Sequence, residues 1–309
     1  MQSAEYPAVR ATSLDHFFAL HERAMGKGSY PLGPPFRARP SDVFITPFAK
    51  SGTTWLQQIA HGLRSGGDMD FAEISYVVPC LDYAHAMGLD PNAEHRFSPR
   101  LFMTHATWAE APRGGQYICA FRNPKDVMTS YYRFLEDWFF DPGTIALDDF
   151  AAAFLPAPGT LDDWWLHMVS WWEQRDNPAV LLLCYEDMVR DLPDTVRRIA
   201  RLMQIDLTDA LMETVLRQSS RDFMLAHAGH FDERGLRQLA ARDLGLPPES
   251  SSSKITASTD KDRYRLSPAL EAAFDKIWDD QIVPQTGLAD YGSLQGAIRA
   301  VHAEREGAQ

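Results

Sequence analysis

A short apolar run, Asp42-Val43-Phe44-Ile45-Thr46, leads through Pro47-Phe48-Ala49-Lys50-Ser51-Gly52-Thr53-Thr54-Trp55 into a stretch with helical periodicity. Strand, loop and helix in that order commit the region to a layered α/β packing, because the helix must cover a face of the strand's sheet. Leu56, Ile59, Ala60 and Leu63 recur at the spacing of one buried helix face, so the helix is expected to begin near Gly52 with its first backbone N–H groups unpaired. Those amides and the helix dipole attract a phosphate or sulfonate, Gly52 lets the backbone approach it, and Lys50 adds a mobile positive charge. Trp55 lies roughly a quarter turn off the buried stripe, which leaves its ring available to stack on a flat group. A K-S-G-T segment on its own is also how an ordinary capped helix begins, so the anion reading depends on the rest of the chain.

The same grammar recurs. Apolar runs at 42–46, 101–104, 116–121 and 180–185 each give way to polar or small residues and then to helical periodicity, the pattern of a parallel sheet with crossover helices. The expected fold is α/β: a single domain over 1–309, a central parallel sheet flanked by helices, and a P-loop-like anion loop. In such sheets ligands bind at the carboxyl ends of the strands, and those ends carry Lys50, His105, Arg122 and Tyr185. Pro-, Gly- and Ser-rich stretches occur at 31–40, 141–160 and 245–258; 246–258 reads as a mobile loop suited to act as a lid. Trp165, Met168, Val169 and Trp172 form a core-facing helical stripe, and the cluster with Trp164 and Trp171 is read as core.

Charge narrows the partners. Lys and Arg number 30 against 42 Asp and Glu, a formal net charge of −12, which argues against nucleic acid or a polybasic membrane contact and requires a local basic pocket for any anionic ligand. Cys80, Cys119 and Cys184 have no metal-ligand spacing, and an odd count favours reduced, apolar-packed thiols in a cytoplasmic compartment. Met1-Gln2-Ser3-Ala4-Glu5-Tyr6 lacks the charged and apolar regions of an export leader, and no apolar run reaches transmembrane length.

A second motif, Arg122-Asn123-Pro124-Lys125-Asp126-Val127-Met128-Thr129-Ser130-Tyr131-Tyr132, follows the run Tyr117-Ile118-Cys119-Ala120-Phe121. Asn123 is a good N-cap and Pro124 a good first helical residue; Val127, Tyr131, Phe134 and Trp138 then share a face expected to be buried, with Ser130 on Val127's side. Either Arg122 pairs with a carboxylate such as Asp126 while Ser130 bonds back along its helix, or the two grip a phosphate, which accepts the forked donors of a guanidinium.

These segments carry a resemblance. In an ordinary triphosphate loop the lysine follows the last glycine; here Lys50 precedes Gly52. Lys50 through Trp55 resemble the P-K-S-G-T-T-W loop of the sulfotransferases that use 3′-phosphoadenosine 5′-phosphosulfate (PAPS), although Pro47 and Ala49 shift the usual proline. R-N-P-K-D followed by S-Y-Y is similar to that family's 3′-phosphate segment, Thr104-His105 to its K-T-H, Tyr185-Glu186-Asp187 to its Y-E-D, and Ser219-Ser220 to its adenine-side S-S-F-x-x-M. The resemblance covers about 40–280.

The resemblance implies a cytosolic-type sulfotransferase with PAPS as cosubstrate and PAP as product, and needing no metal. His105 would be the general base and Lys50 would neutralise charge on the bridging oxygen. Ser51, Gly52, Thr53 and Thr54 would hold the 5′-phosphate, Trp55, Tyr185 and Ser220 would meet the adenine, and Arg122 with Ser130 would take the 3′-phosphate. The family's R-K-G is absent, and Lys254, backed by Arg263 and Arg265, is its expected substitute. Met103 stands where the family has the lysine of K-T-H, Arg221 replaces a phenylalanine, and the dimerisation motif is broken at Ser267-Pro268 and Ala272, which leaves a homodimer open. The acceptor is expected to be a small apolar hydroxyl or amine compound such as a phenol, a lipid or a glycolipid. A small-molecule kinase and a catalytically weak PAP-binding relative are the rival readings.

Overall fold

A computed structural model describes residues 10–25, 35–136, 138–155, 162–247 and 264–307. Four short strands, β1 (Val43–Ile45), β2 (Leu101–Met103), β3 (Gln116–Phe121) and β4 (Val180–Cys184), form one parallel sheet in the order β2-β1-β3-β4. Each lies inside an apolar run expected from the sequence. Ile45 is level with Met103 on one side and Ile118 on the other, and Phe121 is level with Cys184. The strands are buried on both faces, which is why they read as unbroken apolar runs.

Strand alternation divides the interior in two. Val43, Ile45, Leu101, Ile118, Ala120, Leu181 and Leu183 point into one core, shared with Leu56, Ile59, Ala60 and Leu63 of the helix Thr53–Ser65. Phe44, Phe102, Tyr117, Cys119, Phe121, Leu182 and Cys184 point into the other, where the helix Asp162–Trp172 brings its four tryptophans. All four are at most 7 % exposed, so this helix is buried on more than the single expected stripe. Phe17 of the N-terminal helix Leu14–Met25 meets Phe139, Phe140, Phe150 and Phe154 in the same core.

The helix Pro124–Leu135 follows β3 as expected, with the Asn123 side chain accepting from the Lys125 amide at 3.0 Å and Pro124 at the first position. Its buried face differs in detail. Tyr132 is more buried than Tyr131 and donates its hydroxyl to the Ile145 carbonyl at 2.6 Å, while Ser130, expected on the buried side, is half-buried. The three cysteines are buried and unbridged. Among the described residues no helix is long and apolar enough to cross a membrane. Of the expected lid at 246–258 only Leu246, which is buried, and Pro247 fall within the described residues; Lys254 and Arg263 lie outside them, and Arg265 is exposed.

Candidate active site

Beyond β1 the chain turns back sharply. Lys50 (φ 65°) and Gly52 (φ 96°) both adopt the left-handed conformation, and the Ser51 amide closes the turn on the Phe48 carbonyl at 3.2 Å. Gly52 is required twice over: its backbone is in the region glycine favours, and a Cβ there would come within 3.1 Å of the Tyr185 ring. The helix begins at Thr53 with no side-chain cap, and Leu56 is the first residue whose amide bonds back into it, to Gly52. The Ser51 and Thr53 hydroxyl oxygens are buried with no hydrogen-bond partner among the described residues. Thr54 is half-buried beside them.

Arg122 reaches this loop from the end of β3. One terminal nitrogen donates to the Lys50 carbonyl at 2.9 Å, the guanidinium lies 4.5 Å from the centre of the Tyr185 ring, and Nε is buried without a partner. It does not pair with Asp126. The Lys50 ammonium sits 4.1 Å from the centre of the Phe134 ring. Trp55 donates its indole N–H to the Ser219 carbonyl at 2.8 Å and meets Tyr185 edge-on at 5.9 Å. A contiguous array of Lys50, Ser51, Gly52, Thr53, Trp55, Arg122 and Tyr185 results. Ser130 lies on the helix that also carries Phe134. Ser220 has a local task, donating to the Arg217 carbonyl at 2.8 Å and capping the short helix Arg221–Ala226; it is its neighbour Ser219 whose hydroxyl is buried and unpartnered.

His105 stands two residues beyond β2. Its Nδ1 lies 2.7 Å from the Pro47 carbonyl, which can only accept, so the proton of the neutral ring is on Nδ1 and the lone pair on Nε2. Asp82 supports the same segment, accepting from the Thr104 hydroxyl at 3.2 Å and from the His105 amide at 3.5 Å. Nothing in the spacing of the sequence singled out Asp82. Met103 is 2 % exposed, with its amide on the Pro79 carbonyl and its carbonyl taking the Leu81 amide. Among the described residues there is no group of three or more His, Cys, Asp or Glu side chains arranged to hold a metal ion.

A family model described as a sulfotransferase domain matches residues 40–281. The amine sulfotransferase of Oryctolagus cuniculus is 30% identical over 255 residues, 80% of this chain and 82% of that protein. Sulfotransferase 1B1 of Canis lupus familiaris is 29% identical over 201 residues, 61% of this chain and 68% of that protein. Among solved structures, retinol dehydratase in complex with androsterone and inactive cofactor PAP aligns over 85% of both chains with a TM-score of 0.64 and 18% identity. A mouse sulfotransferase complexed with PAP covers 88% of this chain and 90% of its own, with a TM-score of 0.58 and 20% identity. At those identities the two structures speak to the fold.

Proposed function

The chain belongs to the sulfotransferase domain family, and from that premise we propose how its own residues divide the work of sulfuryl transfer from PAPS to an acceptor. The observation that carries the proposal is the set of buried, unpartnered polar atoms on Ser51, Thr53 and Arg122 around the head of one helix. A buried donor left unpaired costs about 1–3 kcal/mol, so a cradle of them is retained for a ligand that completes it, and an oxyanion at a helix N-terminus does so. The donor set fits a doubly phosphorylated nucleotide.

PAPS supplies the sulfuryl group and leaves as PAP. The amides and hydroxyls of Ser51 to Thr54 hold the 5′-phosphate, with Gly52 allowing the close approach. Lys50 neutralises charge that builds on the bridging oxygen. Arg122 and Ser130 bind the 3′-phosphate, and Trp55 and Tyr185 flank the adenine beside the Ser219-Ser220 turn; Lys254, which lies outside the described residues, is assigned to the 3′-phosphate from the sequence alone. His105 accepts the acceptor proton at Nε2. The chemistry resembles phosphoryl transfer, in which positioning and charge stabilisation supply most of the rate.

The acceptor in this reading is a small apolar hydroxyl or amine compound, because Phe48 lies in the loop and Phe134, on the helix Pro124–Leu135, meets the Lys50 ammonium. The buried, unbridged thiols suit a reducing, cytoplasmic setting. Thermal shift with PAP, ATP and ATP plus magnesium tests the nucleotide: PAP is expected to stabilise most. A larger shift with ATP plus magnesium would sink this reading in favour of a kinase. Labelled PAPS with a panel of phenols, lipids, glycolipids and amines tests the acceptor.

A further inference from the structure

His167 is 1 % exposed on the helix Asp162–Trp172, among tryptophans, where an apolar side chain would pack at lower cost. Its Nε2 lies 3.0 Å from the Thr46 carbonyl, so that nitrogen carries the proton, and Nδ1 is buried with no partner among the described residues. Burial first, and the nearby His105 second, push its pKa down to about 3, so the ring is a neutral N–H donor under ordinary conditions. A fully buried imidazole with one nitrogen unsatisfied is a poor device for stability. What it secures is the direction of one carbonyl.

That carbonyl matters because of its neighbour. Thr46 precedes Pro47, whose own carbonyl accepts from Nδ1 of His105. The Thr46–Pro47 peptide is planar and the proline ring restricts φ, so once the Thr46 carbonyl is held, only ψ of Pro47 remains to aim the next carbonyl. The same helix grips the other side of the base: Trp171 donates to the Ala106 carbonyl at 3.1 Å, and the Ser170 hydroxyl accepts from the Trp108 amide at 3.1 Å. The Phe48 ring packs edge-on against His167 at 5.7 Å.

We propose that His167 is a positioning residue for the base: by holding the Thr46 carbonyl it aims the Pro47 carbonyl at Nδ1 of His105 and so selects the tautomer with its lone pair on Nε2. The proposal rests on the reading of His105 as the base, and its main readout is independent of turnover. In 15N-histidine NMR of the full chain with PAP bound, the His105 signals, identified by their loss in His105→Ala, should report a protonated Nδ1. His167→Leu removes the donor and should convert His105 to a tautomer mixture. It should lower kcat about tenfold, part of the hundredfold or more a positioned base contributes, with PAP affinity unchanged. His167→Gln, whose amide N–H can replace Nε2–H, should restore both; His167→Asn, whose amide falls short, should not. Where the leucine variant fails to fold, the Gln and Asn pair, similar in polarity, gives the same comparison. An unchanged His105 tautomer in His167→Leu, or equal behaviour of Gln and Asn, overturns the proposal. Retained turnover in His105→Ala would instead remove the base assignment and leave the tautomer result standing.

Discussion

The Arg122 guanidinium touches a carbonyl and an aromatic face, and among the described residues it has no carboxylate partner. A structural arginine is normally neutralised; one reserved for an anion is not. Arg122→Ala is therefore expected to weaken PAP by about 1.5–3 kcal/mol, the worth of a charge-assisted hydrogen bond, and adenosine 5′-phosphosulfate much less, since that ligand lacks the 3′-phosphate. Calorimetric titration of both ligands decides it, and equal weakening would make the residue structural. His105→Ala should lower turnover by roughly a hundredfold or more with little change in PAP affinity, because the proposed role of the residue is proton transfer and not binding. Initial rates beside PAP titrations check this, and undiminished turnover would dismiss His105 as the base. The two residues were singled out by their motifs, but their structural partners were not. Asp82 under Thr104 and His105, and His167 under Thr46, are separated from His105 by long stretches of chain, and no local spacing encodes such contacts. Ser219 and Ser220 are adjacent, and only packing shows which hydroxyl is buried and which caps a helix.

At the scale of elements, the helix Tyr291–Gly307 lies beyond the residues matched by the family model and covers the open edge of β4. His302 donates to the Leu182 carbonyl at 2.8 Å and Arg305 to the Val180 carbonyl at 2.9 Å. An uncovered edge is a template for pairing with another chain. Removal of 291–307 should therefore lower the unfolding temperature and promote self-association, read by thermal unfolding with light scattering. A monodisperse, equally stable truncation would show that the edge needs no cover. The same helix reaches towards the proposed nucleotide site, where the Tyr291 hydroxyl donates to Glu186 at 2.6 Å and the other Glu186 oxygen accepts from the Asn123 amide at 3.1 Å. Capping of the Pro124–Leu135 helix was legible, since S/T/D/N before proline is a local signal. Asn123→Ala should cost about 1 kcal/mol, seen as a lower denaturant midpoint. The position of Ser130 was not legible, because a face inferred from spacing alone cannot say which side of the stripe the rest of the protein covers.

Across the whole molecule, buried histidines set the acid limit. Burial lowers His21 to about 4 and, with Arg64 as second cause, His61 and His95 to about 4; His302 is also lowered, by burial first. In the unfolded chain each returns to about 6.5. The folded state thus refuses protons that the unfolded state accepts, so this contribution to stability is complete above pH 6.5 and is lost as pH falls towards 4. Calorimetry should show a lower unfolding temperature at pH 5 than at pH 7; an equal or higher value would mean that these rings are not buried neutral. Short-range rules made the sheet, the Lys50–Trp55 turn and the capped helix after β3 readable from the chain alone. Parallel strands buried on both faces must be apolar throughout, and a left-handed turn at a helix head needs glycine within a few residues. Tertiary structure alone decided which strand lies beside which, that Gly52 and Arg122 converge on Tyr185, and that two histidines rest on consecutive carbonyls of one loop. Those outcomes depend on the packing of elements far apart in sequence, where a single contact is chosen by the shape of everything around it.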